Sequence, residues 1–281
     1  MCIRDSYVGG YVSNDENYLI IRGEETTSGG KLWIKDLRKP NSPLVAVVNN
    51  YDSDTFVLSI KGDKIYFQTN LNAPNGRIVV ADIKNPTPEH WKDLIAETQN
   101  VLTPVVAGKY ILAHYMKDAI SQVKQYDFEG KLIRDIKLPA LGTVTLNSAK
   151  DEENESYFSF ENFYTPSSIY KLHLDNGNTE LYWAPKIDFN PNDFESKQVF
   201  YTSKDGTKVP MIITYKKGTP LDGTAPACLY GYGGFNISYT PWFAVTYAVW
   251  MNNGGVFAVA NIRGGGEYLS LIHISEPTRP Y

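Results

Sequence analysis

A short strand that ends in an acidic residue recurs along the chain at a nearly constant interval. Copies end at Asp36, Asp82 and Asp127, and a weaker copy ends at Asp175, so successive copies lie 46, 45 and 48 residues apart. A period of about 40–50 residues with about four short strands per unit is typical of β-propeller blades. One blade alone has no stable core, because each blade buries its two faces against its neighbours. The repeat therefore predicts about four propeller blades.

The sequence between these copies favours strands over helices from Tyr7 to about residue 190. Aromatic and β-branched residues are concentrated in nine runs, with turn signals such as Asn75-Gly76 between them. The runs are "YLIIRG", "KLWIKDL", "TFVLSI", "KIYFQT", "RIVVADI", "YILAHY", "VKQYDF", "SYFSF" and "SIYKLHL". A β-sandwich would also contain short strands, but it would not need this period. Propellers have typically about four to eight blades, so four units leave open whether more blades belong to the ring.

A different pattern begins near "FNPNDF", at Phe189–Phe194. The next stretch predicts a hairpin with Asp205-Gly206 at its tight turn. An apolar strand, "APACLY", then leads into a glycine-rich loop, and "PWFAVTYAVWMNN" has the apolar spacing of a helix that ends near Asn253. The continuous apolar run "VFAVANIR" predicts another strand. Strand, loop, helix and strand in this order predict an α/β layer with a central sheet.

Composition and charge exclude several classes of protein. The 281 residues are 42% hydrophobic and 21% charged, with a net charge of −4, and no basic cluster indicates a nucleic-acid partner. No apolar run reaches the ~18 residues of a membrane span. Cys228 has no second cysteine outside the N-terminal Met1–Ser6, which excludes a disulfide framework. His90, His114 and His173 have no metal-like spacing.

Both ends of the chain are predicted to derive from a DNA adapter. Met1–Ser6 can be back-translated into a string whose reverse complement encodes Leu-Ser-Leu-Ile-His, the sequence of Leu269–His273. One DNA element that flanks an insert in opposite orientations produces this relation, and it resembles the transposase end sequence of sequencing-library adapters. We therefore expect residues 1–6 and 269–281 to be adapter-derived, and the stretch between them to be a fragment of a longer protein.

The glycine-rich loop Tyr230–Asn236, "YGYGGFN", is the first candidate for a functional site. Glycine permits backbone conformations and close approaches that other residues do not. The loop lacks the third glycine of a dinucleotide fingerprint and the Gly-Lys-Ser/Thr of a P-loop. After an apolar strand it lies where α/β proteins usually bind ligands. A tight structural turn would have the same sequence, so these residues alone leave both interpretations open.

The segment "LYGYGGFN" closely resembles the prolyl oligopeptidase family of serine peptidases. The resemblance continues through "FYTSKDGTKVPM", "KKGTPLDGTAP" and "GGVFAVANIRGGGEY", and more loosely through the propeller region from "VSNDENYLIIRG" to "KLWIKDL". It implies a seven-bladed propeller, of which residues 7–190 are about four blades, and an α/β-hydrolase domain that begins at residues 191–268. It also implies a monomer that cuts short peptides after proline, without a cofactor, metal, nucleic acid or membrane. The compartment stays open between cytoplasm and periplasm.

Three site residues follow from the resemblance. Tyr232, the second tyrosine of the motif, is expected to donate its hydroxyl in the oxyanion hole, and Phe235 is expected to line the proline pocket. Arg22 matches a propeller arginine near the substrate. Here its spacing to Trp33 needs one inserted residue, and a cysteine that some relatives carry at this loop is missing.

The nucleophile of such an enzyme is missing from the sequence. An α/β-hydrolase presents its serine on a G-x-S-x-G elbow, and the chain contains no such motif. The family order Ser…Asp…His would place the whole triad after residue 268, so the chain itself is expected to be inactive. One alternative is the related family that cuts after basic residues, whose motif resembles "YGYGSYG" and lacks the counterpart of Phe235. A non-catalytic propeller scaffold is the other alternative, which the intact glycine motif disfavours.

Overall fold

The computed structural model of the protein describes residues 7–234 and 237–266, which form five four-stranded sheets. The first four sheets are antiparallel meanders that follow one another along the chain. Sheet 1 contains β1 (Tyr7–Val12), β2 (Tyr18–Glu24), β3 (Lys31–Asp36) and β4 (Val45–Val48). Sheet 2 contains β5 (Thr55–Lys61), β6 (Lys64–Thr69), β7 (Arg77–Asp82) and β8 (Lys92–Ile95). Sheet 3 contains β9 (Val101–Ala107), β10 (Tyr110–Lys117), β11 (Ile120–Tyr126) and β12 (Leu132–Ile136). Sheet 4 contains β13 (Thr143–Leu146), β14 (Glu155–Glu161), β15 (Ser168–His173) and β16 (Thr179–Trp183). The predicted repeat of four four-stranded units is confirmed.

The recurring acidic residue closes the turn after the third strand of sheets 1, 2 and 3. The carboxylates of Asp36, Asp82 and Asp127 each accept a hydrogen bond from the backbone N–H two residues later, at 3.1, 2.8 and 3.0 Å. Such side-chain-to-backbone bonds are typical of Asp and Asn in turns. In sheet 4 the acceptor is Asn176, 2.8 Å from the N–H two residues later. This one-residue shift explains why the fourth copy of the repeat is the weakest.

The hydrophobic core of the propeller region lies between neighbouring sheets. Ile20, Leu32, Ile65 and Phe67 are buried between sheets 1 and 2; Ile78, Leu102, Ile111 and Tyr115 between sheets 2 and 3; Leu112, Val123, Phe158 and Leu172 between sheets 3 and 4. Each sheet therefore buries one face against each neighbouring sheet. This arrangement is that of propeller blades, in which each unit is stabilised by its neighbours.

The fifth sheet and one helix form an α/β unit. Its elements are β17 (Phe194–Thr202), β18 (Lys208–Lys216), β19 (Ala227–Tyr230), α1 (Val245–Asn252) and β20 (Val256–Ala260). The strand order is β17-β18-β20-β19, with β19 parallel to β20. The predicted hairpin at Asp205-Gly206 joins β17 to β18 as expected.

The helix and the apolar strands of this unit differ in burial. The helix ends where predicted, and Gly254 just after it has a φ of 86°, a conformation that favours glycine. All of β20 is buried, whereas all of β19 is exposed, because β19 is the edge strand of the described sheet. Among the helices of residues 7–234 and 237–266, none has the length and apolar character of a membrane span.

Sheet 4 packs directly against the α/β unit. Phe163, in the loop between β14 and β15, is fully buried, with its ring 5.3 Å from the ring of Phe257 and 6.1 Å from that of Tyr247. Phe194, Ile212 and Met251 complete this cluster. The last sheet of the propeller region and the first strands of the α/β unit thus share one hydrophobic layer.

Candidate functional site

The glycine-rich loop leaves the sheet at the carboxyl end of β19. Because β20 is the parallel neighbour of β19, the chain after Ala260 leaves the sheet at the same edge. In α/β proteins this edge is the usual place for a ligand site. The candidate site is therefore formed by two adjacent loops, residues 231–234 and 261–266.

Glycines allow these two loops to lie in backbone contact. A Cβ on Gly233, whose φ is 56°, would lie 2.4 Å from Cγ1 of Ile262 and 2.6 Å from the carbonyl oxygen of Arg263. A Cβ on Gly264, whose φ is 95°, would lie 2.4 Å from the carbonyl oxygen of Gly233. Any other residue at these two positions would clash with the backbone and be strained. The motif is thus needed for packing, whatever its chemical role.

An ion pair ties the second loop to the β17–β18 turn. Nη1 of Arg263 lies 2.5 Å from Oδ2 of Asp205. The N–H of Thr207, which donates to the same carboxylate, and then Arg263 hold the pKa of Asp205 at about 2. The carboxylate therefore stays charged at neutral pH, and the pair fixes the backbone against which Gly233 packs.

Tyr232 lies at the surface of this loop pair. Its side chain is 43% exposed, and its Cε1 would be 3.7 Å from a Cβ on Gly234. Within residues 7–234 and 237–266 its hydroxyl has no hydrogen-bonding partner. The hydroxyl is thus available as a donor to a ligand. Phe235, which the resemblance places in the proline pocket, lies outside the described residues.

Arg22 lies at the end of β2 and takes part in a network with two carboxylates. Its guanidinium pairs with Glu24 and, at 2.9 Å, with Oδ1 of Asp54, and it stacks 3.9 Å from the centre of the Phe56 ring. The same Oδ1 accepts from the N–H of Gly29 at 2.9 Å. Arg22 therefore holds the β2–β3 loop against the chain before β5, and its charge is already balanced by acids of the protein.

The end of β2 that carries Arg22 belongs to the face of the propeller region that meets the α/β unit. In sheet 3 the equivalent turn contains Asp118, whose carbonyl accepts a hydrogen bond of 2.6 Å from Nε2 of Gln198. In sheet 4 the equivalent loop contains Phe163, buried against the α/β unit. In the described residues no hydrogen bond or ion pair joins Arg22 to Tyr232.

The three histidines of the described residues lie in different elements of the fold. His90 is exposed, while His114 and His173 are in strands β10 and β15. His114 is hydrogen-bonded to Ser121 at 2.8 Å, and burial lowers its pKa to about 4. Within the described ranges, no three His, Cys, Asp or Glu residues are grouped as metal ligands would be.

Contacts between the propeller region and the α/β unit were not predictable from local sequence. Thr143 donates to the carbonyl of Pro241 at 2.6 Å, and Glu161 accepts from the N–H of Phe243 at 3.1 Å. The partners are 98 and 82 residues apart, and no repeat or motif marks them.

Comparison with known proteins extends this picture. Residues 4–185 match the family model "Prolyl oligopeptidase, N-terminal beta-propeller domain". The chain is 50% identical over 262 residues to a prolyl endopeptidase of Elizabethkingia meningoseptica, covering 93% of this chain and 37% of that protein. It is 37% identical over 238 residues to a prolyl endopeptidase of Dictyostelium discoideum, covering 79% of this chain and 31% of that protein.

The solved structures agree with the sequence relatives. Prolyl oligopeptidase B from Galerina marginata, without ligand, superposes with a TM-score of 0.86 at 30% identity, over 95% of this chain and 39% of that one. One structure from a study of two prolyl endopeptidases superposes with a TM-score of 0.79 at 33% identity, over 94% of this chain and 39% of that one. The chain thus spans between 31% and 39% of the length of these relatives.

Proposed function

The chain belongs to the prolyl oligopeptidase family, and from that premise we propose that it is part of a serine peptidase that hydrolyses short peptides after proline. Relatives named prolyl endopeptidase at up to 50% identity support the substrate class. The α/β unit is, in this proposal, the beginning of an α/β-hydrolase domain. Its strand order, with β20 between β18 and the parallel β19, is consistent with that assignment.

The single observation that carries the proposal is the exposed Tyr232 on a tight glycine loop at the carboxyl edge of two parallel strands. When a serine attacks the carbonyl before the scissile bond, negative charge develops on the carbonyl oxygen. A preorganised O–H donor stabilises that charge without reorganisation during the reaction. Tyr232 has a free hydroxyl on a backbone that the Gly233 and Gly264 contacts hold in place.

Two further residues have proposed roles in binding. Phe235 would provide a flat apolar surface for the pyrrolidine ring of proline, which has no N–H to satisfy. Arg22 would lie near the substrate on the propeller face that meets the α/β unit. Because Glu24 and Asp54 already balance its charge, we expect it to contribute more to the shape of that face than to anion binding.

The nucleophile and its partners are proposed to lie in the part of the longer protein that this chain does not span. The chain has no G-x-S-x-G elbow, and its relatives extend over nearly three times its matched length. The longer protein would supply Ser, Asp and His for acyl-enzyme chemistry. This chain would supply an oxyanion donor, part of the proline pocket and part of the propeller.

Hydrolysis of a glycyl-prolyl reporter by the full-length parent tests the substrate class, with an arginyl reporter for comparison and this chain alone as the inactive control. We expect turnover of the prolyl reporter, blocked by a serine-directed inhibitor. Preference for the arginyl reporter would assign the enzyme to the related basic-specific class, and no turnover of either reporter would reject a peptidase.

Tyr232→Phe in the full-length parent tests the oxyanion donor. We expect kcat to fall by about 10–1000-fold, by analogy with loss of one oxyanion-hole donor. Tyr182→Phe, at an exposed position of β16, is the matched control. An unchanged kcat in Tyr232→Phe would remove Tyr232 from the mechanism.

A further inference from the structure

Residues 237–243, here called the bridging segment, directly follow the glycine-rich motif and contact both parts of the molecule. The segment is linked to the glycine loop by a hydrogen bond of 3.0 Å from the N–H of Ile237 to the carbonyl of Gly234. A second link is the contact between the rings of Tyr239 and Tyr230, whose centres are 4.7 Å apart. Movement of the bridging segment would therefore move the loop that carries Tyr232.

Two hydrogen bonds from sheet 4 hold the far half of the bridging segment. Oγ1 of Thr143 donates to the carbonyl of Pro241 at 2.6 Å, and Oε2 of Glu161 accepts from the N–H of Phe243 at 3.1 Å. Thr143 and Glu161 are directly opposite each other in the β13–β14 ladder. Two paired residues of sheet 4 thus bind the backbone of the segment at Pro241 and Phe243.

The strand that carries Thr143 is itself bonded to sheet 3. The N–H of Ser121 donates to the carbonyl of Gly142 at 3.0 Å, and the N–H of Val144 donates to Oγ of Ser121 at 2.9 Å. These bonds lie on either side of Thr143. A Cβ on Gly142 would lie 2.5 Å from the carbonyl oxygen of Glu161, so β13 and the end of β14 are in close backbone contact.

The α/β unit holds the same segment from the opposite side. Nδ2 of Asn261 donates to the carbonyl of Tyr239 at 2.8 Å, and the hydroxyls of Tyr239 and Tyr247 are 3.1 Å apart. Without the two bonds from sheet 4, residues 241–243 would have no polar anchor among the described contacts of their own unit.

We propose that Glu161 and Thr143 are positioning residues through which the propeller region holds the bridging segment and so sets the orientation of the Tyr232 loop. This inference rests on the proposed function. It assigns to the propeller a role in arranging the oxyanion site. Glu161 provides the stronger of the two contacts, because a hydrogen bond to a charged acceptor is roughly twice as strong as a neutral one.

Limited proteolysis of this chain tests directly whether the two hydrogen bonds from sheet 4 hold the bridging segment. Chymotrypsin cuts after Trp242 and Phe243, which lie within this segment. Glu161→Ala is expected to raise the rate of cleavage at these bonds about ten-fold, as loss of a hydrogen bond to a charged group implies. Glu161→Gln keeps an oxygen acceptor for Phe243 and should restore protection. Glu155→Ala, at the exposed start of the same strand, is the matched control and should cleave at the original rate.

The Thr143 pair of variants decides the outcome if Glu161→Ala fails to fold. Thr143→Val keeps the shape and removes the donor, so cleavage should rise, whereas Thr143→Ser should protect. Equal cleavage rates in folded Glu161→Ala and Glu161→Gln, or in the two Thr143 variants, would overturn the proposal.

Kinetics of the full-length parent separate positioning from simple stabilisation. Glu161→Ala should lower kcat on the prolyl reporter about ten-fold with less than a two-fold change in KM, and Glu161→Gln should recover most of kcat. An active parent whose kcat is the same in Glu161→Ala would refute the positioning role. A parent with no peptidase activity would instead refute the proposed function. The proteolysis result would still show whether Thr143 and Glu161 hold the bridging segment.

Discussion

At the scale of single residues, we expect His114 to make the stability of the propeller region depend on pH. Oγ of Ser121 accepts from the N–H of Val144 and lies 2.8 Å from Nε2 of His114. A neutral imidazole with an unprotonated Nε2 can accept the hydroxyl proton of Ser121. Burial, which lowers the pKa of His114 to about 4, favours the same form. His114 and Ser121 are both in sheet 3, and it is Ser121 that is bonded to Val144 of sheet 4.

The pKa of His114 predicts a loss of stability in mild acid. In the unfolded chain the histidine titrates near 6.5, so below this pH the unfolded state binds a proton that the folded state does not. The free energy of unfolding should be undiminished above pH 6.5 and should fall between pH 6.5 and about 4, by up to roughly 3 kcal/mol. Urea midpoints at pH 7.5 and 4.5 measure this change.

His114→Gln should reduce the pH dependence over this window, while His90→Gln, at an exposed position, should keep it. An identical pH slope in wild type and His114→Gln would show that this half-buried histidine is not responsible.

At the scale of elements, the acidic repeat is a set of turn-closing hydrogen bonds rather than a set of ion-binding sites. The carboxylate of Asp82 stabilises the turn after β7 through the backbone N–H of Lys84. Because Asp82 is exposed, its role depends on one local bond, and its charge contributes little.

Asp82→Ala should therefore lower the free energy of unfolding by about 0.5–1.5 kcal/mol, the usual net value of one hydrogen bond. Asp82→Asn keeps the acceptor oxygen and should lose much less. The shift of the urea midpoint measures both. Equal losses in the two variants would mean that the charge matters and the turn bond does not.

The strands that could be predicted from sequence are mainly those buried in the middle of a sheet. The runs "YLIIRG" and "KIYFQT" correspond to β2 and β6. Strand β2 contains both buried and half-buried side chains, and β6 is largely buried. The strands of the propeller region that the nine runs do not include all lie at sheet edges, and they are β1, β4, β8, β9, β12, β13 and β16. For example, β1 is exposed along its whole length, and every residue of β16 is half-buried or exposed. Edge strands take their conformation from a neighbour, so their own composition indicates little.

The candidate site likewise contains a loop that local sequence predicts and long-range contacts that it does not predict. The glycine loop was predictable because its backbone contacts need glycine at fixed positions, such as Gly233. The contacts of Thr143 and Glu161 were not, because the fold alone brings them to a segment more than 80 residues away. The pairing of Arg22 with Asp54 was hidden for the same reason.

At the scale of the whole molecule, stability comes from a series of layers, each between neighbouring sheets, with the α/β unit as the last. Phe163 is the residue of sheet 4 that enters this last layer most deeply, and it is fully buried. Its removal should weaken the attachment of the α/β unit while leaving the layers between sheets 1, 2 and 3 in place.

Phe163→Ala should cost about 3–5 kcal/mol, as for other buried phenylalanines. The loss should be detected first by fluorescence of Trp242 and Trp250, which lie in the α/β unit, during thermal unfolding. Phe200→Ala is the matched control, because Phe200 is 49% exposed in the same unit. Equal losses in the two variants would show that the shared layer does not hold the unit.

The strand order of the α/β unit has a consequence for synthesis on the ribosome. Strands β17 and β18 can pair as soon as they emerge, but β20 must insert between β18 and β19. β18 ends at Lys216 and β20 begins at Val256, so the growing chain carries an open strand edge while about 40 residues are made. At about 5–20 residues per second this lasts for a few seconds. The four meander sheets have no such delay, since each strand pairs with the one made just before it. Association of nascent chains should therefore begin at β18.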